Sequence, residues 1–266
     1  MTMENPENSQ NPTGNSSQIS GSPVPSDQIP SARVSIQLET KKPLVTYILV
    51  GITSAFFLLQ VASGYILGFD LLAALGAKVN EAIKAGQIWR LITPLLLHGS
   101  FAHIFFNMYA LVTIGRDIEM FYGHKRYLVL YLVSGFAGNV FSFLITQSPS
   151  YGASTAIFGL IAAQGVFIFQ NRKFFRNSKA MLTNTAVVIG INLFIVGMIP
   201  NIDNFGHLGG LLGGTAFAWL AGPIWGPHGL FPEIVISDSR DKSRTLPVTL
   251  GVCSLFALGA ALKIFL

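Results

Sequence analysis

Two stretches of the chain carry side chains able to do nucleophilic chemistry. One, near the end of an apolar run, reads Gly152-Ala153-Ser154-Thr155-Ala156-Ile157-Phe158-Gly159. The other opens a later apolar run and reads Asn204-Phe205-Gly206-His207-Leu208-Gly209-Gly210. Polar groups in hydrocarbon are costly and usually functional. A serine hydroxyl is a weak nucleophile until a base takes its proton, and histidine suits that task near neutral pH. His103 and Asn107 are four residues apart and share a helix face. With the backbone amide of Ser154, they could supply donors to a developing oxyanion. Asp203, four residues before His207, reads as a turn or cap residue, so a two-residue Ser-His arrangement is expected. His98 reads as a structural anchor. His98 and His103 lack the i, i+4 spacing and glutamate of a helical metalloprotease motif, so no metal or other cofactor is expected.

Positioning those groups falls to apolar elements. The chain has 266 residues, 51% of them hydrophobic and only 11% charged, against about 25% charged in soluble domains. That balance implies residence in a lipid bilayer. A pI near 9.4 could signal nucleic acid in a soluble protein, but here the basic residues read as helix-end anchors and no nucleic acid partner is expected. Seven apolar runs are long enough to span: 44–68, 97–116, 127–147, 152–171, 180–200, 206–225 and 246–265. Residues 1–42 are rich in Asn, Ser, Pro, Gln and Gly and read as a disordered tail without a secretory signal. The connection 69–96 is too apolar for a solvated linker, and part of it is expected to lie in the interface. Residues 226–245 read as a linker, Cys253 as a packing residue, and Asn139 and Asn192 as interhelical hydrogen-bonders.

With the amino terminus inside, the inner segments collect 13 basic residues and the outer segments 4. The positive-inside rule selects this topology, with the carboxyl terminus outside. His103 and Asn107, Ser154, and His207 then stand at similar depth on three spans, near the outer surface. His207, Gly210 and Gly214 fall on one stripe, and small residues let membrane helices approach closely. Packing that stripe on the fourth span would bring His207 to Ser154. The residues describe an enzyme whose active site lies inside the membrane.

Trp89-Arg90, then His98, His103 and Asn107, then Gly152-Ala153-Ser154, then Gly206-His207-Leu208-Gly209-Gly210, closely resemble the rhomboid intramembrane serine proteases over roughly residues 44–225. The resemblance implies an all-α polytopic membrane protein, with a rhomboid-like six-helix core at 43–225 and a seventh C-terminal transmembrane helix at 246–266. It implies Ser154 as nucleophile, His207 as base, and His103, Asn107 and the Ser154 amide as oxyanion donors. Phe158 matches an aromatic that stacks on the base. Trp89 and Arg90 match the dipeptide of the long first loop, and Glu119 an acidic structural residue. Gly152, Gly210 and Gly214 support the site. Thr155 stands where the family motif usually has glycine.

The expected activity is therefore cleavage of transmembrane protein substrates near the outer boundary, with a bacterial inner membrane as the expected location. An inactive relative that binds transmembrane clients would lack Ser154 or His207, and both are present. A transporter would carry ionisable residues at mid-depth or matched broken helices, and neither is seen. Composition and motifs set no oligomeric state.

Overall fold

Among the described residues, ten α-helices and three short strands follow from the placement of apolar runs, caps and glycines. The computed structural model describes residues 35–38, 42–195, 198, 202–229 and 233–265. In chain order the elements are β1 (Ser35–Leu38), α1 (Leu44–Leu67), α2 (Leu71–Gly76), α3 (Asn80–Lys84), α4 (Phe101–Ala110), α5 (Arg116–Tyr122), α6 (His124–Ile145), α7 (Ser154–Gln170), α8 (Ser178–Gly190), α9 (Asn204–Ala221), β2 (Trp225–His228), β3 (Glu233–Asp238) and α10 (Thr245–Phe265).

A five-residue π-helical segment, Leu111–Gly115, joins α4 to α5 in one continuous rod, and a second, Ile191–Ile195, extends α8. Seven rods result, one for each expected span. Three of the helices are long and apolar enough to cross a membrane by length and composition alone: Leu44–Leu67, His124–Ile145 and Lys242–Phe265. Their outward faces are apolar, as at Ile66, Leu255 and Leu258.

On α1 the pattern of a water-soluble helix is inverted. Thr46, Leu49, Thr53, Phe57 and Gln60 form the buried stripe, while Ile48, Ile52, Leu59 and Ile66 are exposed. The helix start is capped from a distance. Buried Glu119 accepts hydrogen bonds from the Val45 and Thr46 amides and the Thr46 hydroxyl, each at 2.7 Å. A carboxylate at a helix amino terminus satisfies orphan donors and the helix dipole together. Asp70 and Ser100 do the same locally for α2 and α4, accepting from the Ala73 and His103 amides.

Helix α9 is wedged between α6 and α7. A Cβ on Gly209 or Gly213 would strike Phe141 or Ala137 of α6, and one on Gly210 or Gly214 would strike the Thr155 or Gly159 backbone of α7. Gly210 and Gly214 thus lie against the fourth span as expected, Gly209 and Gly213 face α6 on the other side, and the backbones pack at van der Waals contact.

The segments read as a disordered tail and a linker contribute a sheet at the opposite end from Ser154. Its order is β1-β3-β2, with β1 parallel to β3 (Ser35 opposite Glu233) and β2 antiparallel (Trp225 opposite Asp238). Residues 226–245 are therefore more than a linker. Their anchor is an ion pair between Arg126 and Asp238 at 2.6 Å, with the Asp238 carboxylate also accepting from the Ile224 and Arg240 amides. Trp225 packs among Phe121, Phe167, Phe174 and Phe175. Apart from β1 and Lys42, the expected tail lies outside the described residues.

Candidate active site

Ser154 is the first residue of α7, and the chain that delivers it is held on three sides. Ser150 and Lys78 exchange backbone hydrogen bonds at 2.9 and 3.1 Å, the Gly152 amide donates to Pro94 O at 2.9 Å, and the Ala153 amide donates to His98 Nε2 at 3.4 Å. All three holding groups belong to the stretch between α2 and α4. That gives the long connection a definite task, and it makes His98 an anchor as expected. Gly152 has φ +147°, a conformation that side chains disfavour, and a Cβ there would lie 2.8 Å from His103 Nε2.

His207 arrives from α9. Asp203 caps that helix, Oδ1 accepting from the Gly206 amide at 2.8 Å, while its Oδ2 accepts from the Ser142 hydroxyl at 2.5 Å. This cap pins the start of α9 to α6, one turn from the histidine. His207 Nε2 then lies 2.9 Å from Ser154 Oγ, and the imidazole is stacked on Phe158 with centroids 4.2 Å apart. His207 Nδ1 makes no hydrogen bond among the described residues, and Asp203 is engaged elsewhere. Among the described residues, no third side chain hydrogen-bonds to the imidazole.

The two residues open on a cleft of about 40 Å³ lined by His103, Asn139, Ser150, Tyr151, Gly152, Thr155, Ile202 and Asp203. That is room enough for a water molecule. His103 reaches the cleft with its ring 4.9 Å from that of His98. Asn107 is not on the cleft wall; its amide donates to His103 O at 3.0 Å, one turn back along the same helix. Trp89 and Arg90 are also off the wall. Trp89 Nε1 donates to Leu75 O, and Arg90 donates to Ala74 O and Ala77 O, closing the carboxyl end of α2.

Thr155 departs from glycine without obstructing the pair. Its side chain occupies the space left by Gly138 of α6 and Gly206 of α9, either of which would clash with it if it carried a Cβ. Its hydroxyl is buried and has no hydrogen-bond partner among the described residues.

Several residues on the wall or behind it escaped the motif reading: Lys78, Asn139, Ser142 and Ser150. The available signal was the run of small and polar residues at Ser134, Gly138 and Ser142, spaced four apart on one face of α6 and buried. Asn139 donates to Leu91 O in the connection rather than to another span, and Asn192 bonds Val188 O in its own helix. Among the described residues, no cluster of three or more His, Cys, Asp or Glu could hold a metal.

Comparison with known proteins places this architecture. A Rhomboid domain model matches residues 85–224. The Rhomboid protease GluP of Bacillus subtilis (strain 168) is 42% identical over 173 residues, covering 65% of this chain and 34% of that protein. RHOMBOID-like protein 1 of Arabidopsis thaliana is 37% identical over 151 residues, 56% of this chain and 39% of that protein. Rhomboid-like protease 1 of Toxoplasma gondii is 35% identical over 168 residues, 59% and 57% respectively. The chain thus spans between about a third and somewhat over half of these relatives' length. Helices α1, α2, α3 and α10 lie outside the matched domain.

Proposed function

The chain belongs to the rhomboid family, and from that premise we propose that it is an intramembrane serine endopeptidase acting through Ser154 and His207. The observation that carries this reading is the 2.9 Å contact between Ser154 Oγ and His207 Nε2 beside a cleft large enough for water. His207 takes the hydroxyl proton as Ser154 attacks the peptide carbonyl, then passes it to the leaving amine. The negative charge on the tetrahedral oxygen develops beside the amino terminus of α7. There the Ser154 amide, the positive end of the helix dipole and the His103 side chain all favour an anion. Asn107 supports from behind by holding the His103 backbone. A water in the cleft then releases the acyl group by the same route in reverse.

The substrates are transmembrane proteins whose helices contain small or helix-weakening residues near the membrane boundary, because a peptide bond must leave its helix to reach Ser154. The distribution of 13 basic residues against 4 supports an orientation with the Ser154 end facing outward. A bacterial inner membrane, with the amino terminus in the cytoplasm, fits that orientation. The protease core is 43–225, with 246–266 an added helix.

Purified protein treated with a fluorophosphonate probe is expected to label, and Ser154→Ala to abolish labelling. Co-expression with single-span substrates is expected to release outer fragments with wild type but not with Ser154→Ala or His207→Ala. Labelling that survives Ser154→Ala would sink the assignment; no labelling and no cleavage would favour an inactive client-binding relative.

A further inference from the structure

Helix α6 ends at Ile145, and the last carbonyls of a helix lack partners within it. Donors from two distant parts of the chain take them up. Lys263 Nζ, in the last turn of α10, donates to Phe143 O at 2.6 Å and Leu144 O at 2.8 Å, and lies 5.1 Å from the centre of the Phe143 ring. Asn80 Nδ2 donates to Phe143 O at 3.2 Å and Thr146 O at 2.9 Å, and Lys78 Nζ reaches Thr146 O at 3.4 Å. Cations at a helix carboxyl terminus complement its dipole as well as its orphan carbonyls. Packing reinforces the contact: Ala260 is buried with Ile83, Leu91, Val140 and Phe143.

The next eight residues, 146–153, are the strap that ends in Ser154. Lys78 meets it twice, bonding Thr146 O at its start by the side chain and Ser150 at its middle by the backbone. Lys263 therefore grips the root of the segment that presents the serine. A lysine at the end of a membrane helix ordinarily extends its amine towards water. Here the amine is turned onto two backbone carbonyls instead.

We propose that α10 is a working part of the site and that Lys263 is a positioning residue. It fixes the carboxyl end of α6, and through residues 146–153 it fixes the placement of Ser154 relative to His207. Lys263 touches no reacting atom. The proposal rests on the protease reading above.

The test uses the full chain in detergent or lipid, with two measurements on each variant: the rate of fluorophosphonate labelling and amide hydrogen exchange across 146–153. Small misplacements of reacting groups are costly, so Lys263→Met is expected to slow labelling about tenfold. Exchange at Ser150 and Gly152 is expected to quicken in the same variant. Lys263→Arg, which keeps donors for both carbonyls, is expected to restore both readouts. Leu255→Ala, on the exposed apolar face of α10, is expected to change neither. Unchanged exchange at Ser150 and Gly152 in Lys263→Met overturns the proposal, whatever labelling does, and so does an arginine variant as slow as the methionine one. Where Lys263→Met fails to accumulate, Lys263→Gln, with donors on a shorter side chain, replaces it; an intermediate rate is expected and a wild-type rate overturns the proposal. Failure of wild type to label would defeat the protease reading alone, since hydrogen exchange reports on Lys263 independently.

Discussion

Phe158 lies flat on His207, its ring plane within 14° of the imidazole and its centroid 4.2 Å away. Nδ1 is unbonded among the described residues, so the stack and the Ser154 contact are what orient the ring. Phe158→Leu keeps bulk but loses the flat face. It is expected to cost about 1.5 kcal/mol or less in stability and to slow fluorophosphonate labelling about tenfold. Labelling at the wild-type rate in a folded variant would show that the stack does not orient the histidine.

Two glycines of different surroundings separate close packing from mere helix content. A Cβ on Gly210 would enter the Thr155 carbonyl, whereas Gly251 has nothing within 4 Å. Gly210→Ala is expected to destabilise by about 1–3 kcal/mol and to pull His207 away from Ser154, with loss of cleavage. Gly251→Ala is expected to be neutral or to stabilise by up to about 1 kcal/mol, as alanine does in helices. Thermal unfolding of both variants, with substrate cleavage alongside, checks the contrast.

Thr155 carries a buried hydroxyl without a partner among the described residues, beside a methyl that fills the space between Gly138 and Gly206. Thr155→Val keeps the shape and removes the unsatisfied group, and is expected to stabilise by about 1 kcal/mol with cleavage retained. Thr155→Gly leaves a void and a flexible residue in the first turn, and is expected to cost about 2 kcal/mol. A valine variant less stable than wild type would mean that the hydroxyl has a partner after all.

Burial pushes the Lys78 amine down to about 8, partly offset by Asp203 and deepened by Lys263. In the unfolded chain the amine titrates near its ordinary value of 10.5. Between the two values the unfolded state binds more protons, so stability rises with pH from about 8 towards 10.5. Below pH 8 the buried charge persists and the gain is absent. The slope of unfolding temperature against pH in this window is expected to flatten in Lys78→Met. An unchanged slope would show that Lys78 is charged in the folded protein throughout.

Much of the fold was legible because bilayers impose simple lengths. All seven apolar runs became rods; the second runs on past its expected end to Tyr122, the expected end of the fifth, residue 200, lies outside the described residues, and the other ends fall within a few residues of expectation. Asp203 was recognisable as a cap from its place before a helix, and the structure makes it one. The sheet was missed because β1 pairs with β3 across almost two hundred residues of chain, and the polar–apolar alternation of β1, Ser35-Ile36-Gln37-Leu38, is only four residues long. Asn192 was misread for a related reason: a polar side chain in a span can satisfy itself on its own helix, as it does with Val188 O.

By itself, then, the sequence determined a membrane-embedded helical chain and the set of polar residues able to do chemistry. Hydropathy and motif spacing carry that information directly. Tertiary structure alone decided that α9 drives between α6 and α7, that Ser154 and His207 come within hydrogen-bonding distance, that Lys78, Pro94 and His98 hold the strap before the serine, and that Lys263 meets the carboxyl end of α6. The reason is physical. In lipid an apolar face that packs and one that stays exposed look alike in composition, so partners are chosen by backbone approach at glycines and by donors meeting orphan carbonyls. Those choices exist only once the helices are side by side.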